Sequence, residues 1–164
     1  MSDTSQQAKK LIAHLKEQLR IQEEIYEAAT VIHGCAAAKN IEMLSSSVQR
    51  QDNLIQKMDR ADKKRCDLVE EITGKKADEI TLTAVLPCVP ETYRDEISRL
   101  RKKLKDILHT NRSISKENEV IIKTKLAAVK EDIQMITGMN REDSGYNQKR
   151  EKSMYNRNIV NRKI

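Results

Sequence analysis

Apolar residues recur at three- and four-residue steps through most of the chain, the spacing that gathers side chains on one face of a helix. Between Ser5 and Cys35 they are Ala8, Ile12, Leu15, Leu19, Ile25, Tyr26, Ala29 and Ile32. Asp3, Thr4 or Ser5 suits the start of this helix and Gly34 its end. A second run, 40–73, follows Ile41, Leu44, Val48, Gln51, Ile55, Met58, Asp62, Arg65, Val69 and Ile72, widened by Leu54, Ala61 and Leu68. Such a heptad-like seam predicts a helix about 50 Å long. Gly74 follows as its stop.

Residues 74–91 interrupt the pattern. The alternation Ile80, Leu82, Ala84, Leu86 is a weak strand signal with no second strand to pair with. The stretch therefore reads as a loop or a short helix covering one end of a bundle, and Pro87 and Pro90 exclude regular helix around Cys88. The third run, 91–137, places Ile97, Leu100, Leu104, Ile107, Ile114 and Ile121 on one seam, then steps by one position to Ile122, Leu126, Val129, Ile133 and Ile136. Asn111 and Asn118 cross it. Asparagine in such a seam fixes register or partner choice and weakens packing. At about 70 Å this helix outruns the other two, so part of it is expected to project or to meet another chain.

Short links between long amphipathic helices force antiparallel neighbours. The expected fold is all-α: an elongated antiparallel three-helix coiled-coil bundle with a flexible basic C-terminal tail. The helices span roughly 5–35, 40–73 and 91–137, within a domain over 1–138. Residues 139–164, with five Asn and no clear core face, are expected to be disordered until a partner orders them. The link at 34–40 is the least certain joint; were it helical, the first two helices would fuse into one rod.

Composition agrees with long seams. Phe and Trp are absent, and the chain holds only four Gly and two Pro. A deep pocket is hard to build from such material, whereas Leu, Ile, Val, Met and Ala pack well along helices. The net charge of +6 is uneven, because 139–164 carries seven Lys/Arg against three Asp/Glu. No apolar run approaches the length of a membrane span, and 1–10 lacks a signal peptide's apolar stretch, so a cytoplasmic protein without membrane insertion is expected. Cys35, Cys66 and Cys88 form no CxxC pair and read as free thiols.

Candidate chemistry is thin. No GxGxxG, P-loop, GxSxG or HExxH is present. His14, His33 and His109 are scattered, and Glu23, Glu24, Glu70 and Glu71 form adjacent pairs that point to different helix faces. No enzymatic activity, cofactor or metal is expected. The clusters Lys63–Arg65 and Arg101–Lys103 sit among acids and read as solvated faces rather than nucleic-acid contacts.

What remains is binding. The third helix's length and its two asparagines nominate Asn118, Ile121, Ile122, Leu126, Val129 and Ile133 as partner-binding positions. In the tail, Tyr155 with Ile159, and Val160 with Ile164, stand four apart and offer apolar anchors for folding on a partner. The passage 36–74 (AAAKNIEMLSSSVQRQDNLIQKMDRADKKRCDLVEEITG), the Asn-led helix 118–138 (NEVIIKTKLAAVKEDIQMITG) and the tail's SGY at 144–146 with its NIVNRKI close resemble the FlgN family of flagellar export chaperones. The resemblance implies a cytoplasmic type III export chaperone. It would bind the helical termini of hook-associated (hook–filament junction) proteins, keep them soluble and deliver them to the export gate. It also assigns Tyr146 to the gate and makes the client or the gate the partner of Tyr155, Ile159 and Val160. A coiled-coil structural scaffold and a nucleic-acid-binding accessory protein are the alternatives. Monomer and homodimer both remain open.

Overall fold

The computed structural model describes residues 3–38, 40–76 and 80–137. Four helices follow in order: α1 (Asp3–Ala38), α2 (Ile41–Thr73), the single turn α3 (Leu82–Val85) and α4 (Glu91–Thr137), with a 3-10 turn at Leu86–Cys88 between the last two. The described residues are thus all-α and contain no strand. The expected count of three helices is corrected to three long helices and a short fourth. α3 forms inside the stretch whose apolar alternation carried the strand signal.

α1 ends later than its glycine suggested. Gly34 remains helical, and a Cβ placed there would meet nothing within 4 Å. Ala36 to Ala38, strong helix formers, carry the helix on. Asn40 makes the break. Its N–H reaches back to the Cys35 carbonyl at 3.1 Å and closes the last turn of α1. Its side-chain oxygen accepts from the Met43 N–H at 3.1 Å and caps the first turn of α2. One residue therefore ends a helix and starts the next, and the link is a turn. At the far end of α2, Gly74 adopts φ +67° and its N–H closes on the Glu70 carbonyl, a left-handed cap that glycine takes without steric cost.

α1 is the central element, packed along its length by α2 and by α4. Gln7 with Glu71, Gln18 with Asp62 and Glu27 with Arg50 show that α1 and α2 run antiparallel. α4 runs parallel to α1: Gln22 pairs with Asn111, Ala29 with Asn118 and Ala36 with Lys125, always 89 residues apart.

The two ends of this assembly differ. At the first, Leu11 and Leu15 of α1, Leu68 and Val69 of α2, Leu82 and Val85 around α3, and Ile97 and Leu104 of α4 form one apolar cluster. The short helix supplies the lid of this closed end. Farther along, Ile21, Ile25 and Ala28 pack with Leu54 and Met58, a core built from α1 and α2. Beside it, Arg65 is buried against Asp62 at 2.8 Å, and the same carboxylate oxygen accepts from Gln18 Nε2 at 3.0 Å.

Candidate functional site

α4 holds the upper half of α1 through polar groups spaced by one heptad. Asn111 is fully buried and donates from Nδ2 to the Gln22 backbone oxygen at 3.0 Å and to Gln22 Oε1 at 2.8 Å. Its own Oδ1 is buried without a partner, an unsatisfied acceptor of a kind that costs stability. Seven residues on, Asn118 Nδ2 donates to the Ala29 oxygen at 2.9 Å, and Asn118 Oδ1 lies 3.0 Å from His33 Nδ1. Because an amide oxygen only accepts, His33 Nδ1 is the donor in this contact. After a further heptad, Lys125 Nζ donates to the carbonyls of Ala36 and Ala37. A cation there satisfies the end of α1 and complements its dipole.

By this register α1 ends level with Ala127, so about ten residues of α4, some 15 Å, run on without it. The apolar stripe that leads into them keeps its spacing. Ile122 is half-buried, while Leu126, Val129, Ile133 and Ile136 are exposed, Val129 by 53% and Ile136 by 84%. Ile41 and Met43, at the start of α2, are also exposed at this open end of the bundle. Large apolar groups gathered on one face mark an interaction surface more readily than scattered ones do.

The proposed partner-binding positions thus divide. Leu126, Val129 and Ile133 share the exposed stripe, and Ile121 and Ile122 stand half-buried at its root. Asn118 does not join them; it is buried and tied to α1. Tyr146, Tyr155, Ile159 and Val160 lie outside the described residues. Ile136, Ile41 and Met43 were not nominated from sequence. The unequal helix lengths were the available signal for Ile136. For Ile41 the seam pattern misled, since it placed Ile41 on the packed face of α2, and Met43 falls outside that pattern.

Other chemistry is sparse. Among the described residues, no three His, Cys, Asp or Glu side chains converge as a metal site requires. No described helix is long and apolar enough to cross a membrane. Cys35 is buried, Cys66 partly so, and Cys88 exposed, all three as free thiols. Burial pushes the Cys66 thiol up, against the pull of the neighbouring Arg65, so it is no ready nucleophile.

The family model of the FlgN protein matches residues 1–153. The chain belongs to the FlgN family. That places it among flagellar chaperones, a family not known for catalysis, and fits a molecule whose most distinctive surface is an uncovered helix face. The FlgN match takes in Tyr146 and stops short of Tyr155, Ile159 and Val160. No curated protein and no solved structure matches the chain.

Proposed function

We propose that this FlgN-family chain is a cytoplasmic chaperone of flagellar type III export. It binds hook-associated proteins of the hook–filament junction, keeps their helical termini soluble and delivers them to the export gate. One observation carries the reading: the apolar stripe of α4 from Ile122 to Ile136 continues where α1 no longer covers it. An amphipathic client helix lying along it would complete a seam the protein leaves open.

Magnitudes indicate that the stripe does not act alone. Burying the exposed halves of four such side chains contributes ~3–6 kcal/mol. A micromolar complex requires about 8 kcal/mol net, after the costs of association. A second contact is therefore part of the proposal. Residues 139–164 supply it, as a basic segment separate from the bundle of 1–138, with Tyr146 engaging the gate and Tyr155, Ile159 and Val160 serving as apolar anchors.

The test is binding of hook-associated proteins to the double variant Leu126→Asp/Ile133→Asp, with helicity followed by circular dichroism. Lost binding at unchanged helicity is expected. Undiminished binding would sink the stripe as the client site. Truncation after Gly138 should leave the bundle folded and weaken binding of client or gate, and Tyr146→Ala should weaken the gate interaction chiefly.

A further inference from the structure

The stripe on α4 has a charged border. Lys102, His109, Lys116, Lys123 and Lys130 follow one another at seven-residue steps and are all exposed. On a helix this makes a nearly straight ridge. Lys130 stands four residues after Leu126 and three before Ile133, and Lys123 three before Leu126, so the ridge runs along one edge of the apolar stripe. On the opposite border stand Lys125, which is bound to the end of α1, and Asp132.

This border discriminates among the helices that could lie there. If Leu126 and Ile133 form one core row and Ile122, Val129 and Ile136 the other, the residues that face a partner's flank are Lys123 and Lys130 on one side and Lys125 and Asp132 on the other. A second copy in parallel would set its Lys125 against Lys130. A second copy in antiparallel would set ridge against ridge. The chain's own segment 139–164 carries seven Lys/Arg against three Asp/Glu, so the ridge repels it as well. Like charges across a seam oppose pairing, and opposite charges select the partner and its orientation.

We infer that the helix seated on the α4 stripe belongs to another protein and is acidic along one flank, with carboxylates spaced to meet Lys116, Lys123 and Lys130. This rests on the stripe being the docking face and adds the chemistry of what docks. Lys123 already pairs with Glu119 at 2.5 Å. A carboxylate from the partner joins that pair.

The probes are two synthetic peptides of three heptads, sharing one apolar seam of Leu and Ile and carrying either Glu or Lys at the flanking positions. Each is titrated into the isotopically labelled full-length chain and followed by NMR, which reads weak binding residue by residue. The Glu-flanked peptide is expected to bind on the order of tenfold more tightly, with shifts centred on 122–136 and a preference that shrinks in high salt. Lys116→Glu/Lys130→Glu, which leaves the Lys123–Glu119 pair intact, should reverse the preference, and Leu126→Asp/Ile133→Asp should abolish binding of both peptides. Equal binding of both peptides on the stripe would overturn the inference while leaving the docking reading intact. Binding of neither, or binding indifferent to Leu126→Asp/Ile133→Asp, would overturn both. A dimer in sedimentation that dissociates in Leu126→Asp would assign the stripe to a second copy and overturn it too. So would a DNA duplex that perturbs the ridge at physiological salt as strongly as the acidic peptide.

Discussion

The two ends of this bundle use the same kinds of apolar residue to opposite effect. At the closed end, Leu11, Leu15, Leu82, Ile97 and Leu104 are almost wholly buried where α1, α3 and α4 meet. At the open end, Leu126, Val129, Ile133 and Ile136, on the same α4 that carries Ile97 and Leu104, keep helical spacing and stay exposed. Composition does not separate them; register and helix length do. Between the two lies the polar zipper of Asn111, Asn118 and Lys125, which fixes where α4 sits on α1 and so decides which residues are left over. A seam becomes a binding surface here because its intramolecular partner stops short.

The largest expected contrast is in stability. Leu104→Ala or Ile97→Ala at the closed end should cost about 3 kcal/mol in urea unfolding, through lost burial and an incompletely refilled cavity. Ile133→Ala or Ile136→Ala should stay within roughly 0.5 kcal/mol, as surface changes do. Comparable losses at both ends would mean that the open stripe is part of the core, and the contrast would fail.

The zipper offers the next largest effect. Asn111→Leu strands the buried Gln22 amide and should cost about 1–3 kcal/mol. Pairing it with Gln22→Leu removes both polar groups and should recover that loss or exceed it. The recovered protein would then hold α4 with less selective register, seen as faster hydrogen exchange over α4 beyond Asn111. A double variant no better than the single would argue that these amides do more than set register.

Much of this could be read from residues. The α4 boundaries, the Gly74 stop and the unequal lengths all follow from helix spacing and glycine chemistry. So does the place of Asn111 and Asn118 within a seam. The partners of those asparagines could not be read, since nothing local says that position 111 lies beside 22. The short α3 was ambiguous because four apolar residues suit a turn of helix or a strand equally until the end of a bundle is there to receive them. Ile41 looked like core by spacing, but α2 begins at the open end, where the other helices do not cover it. Gly34 looked like a stop because glycine alone does not reveal its backbone angle.

That last point gives a smaller test. Gly74→Ala forces an L side chain into the left-handed region and should destabilise by about 1 kcal/mol. Gly34→Ala, in open space within a helix, should stabilise by ~0.5–1 kcal/mol. Thermal melts of the two variants should therefore shift in opposite directions.

The smallest effect is a pH dependence. Burial, then Lys64 and Lys10, hold the His14 imidazole below its ordinary value of 6.5. Its folded form resists a proton that the unfolded chain accepts, so the stability it contributes is complete above that value and is lost as pH falls through the folded pKa. Melting temperature should drop less between pH 8 and pH 5 in His14→Gln than in the parent. An identical drop would show that other groups carry the dependence.

The spacing of 80 to 89 residues between α1 and its α4 partners also sets an order of events during synthesis. α1 and α2 are joined by a turn of a few residues and can zip together as soon as both have left the ribosome. Every α1–α4 bond must instead wait for that many residues to be made, and closing so long a loop is slow. α4 is thus the last long helix to dock. Its far end, beyond the level at which α1 stops, emerges later still and finds no helix of its own chain beside it among the described residues.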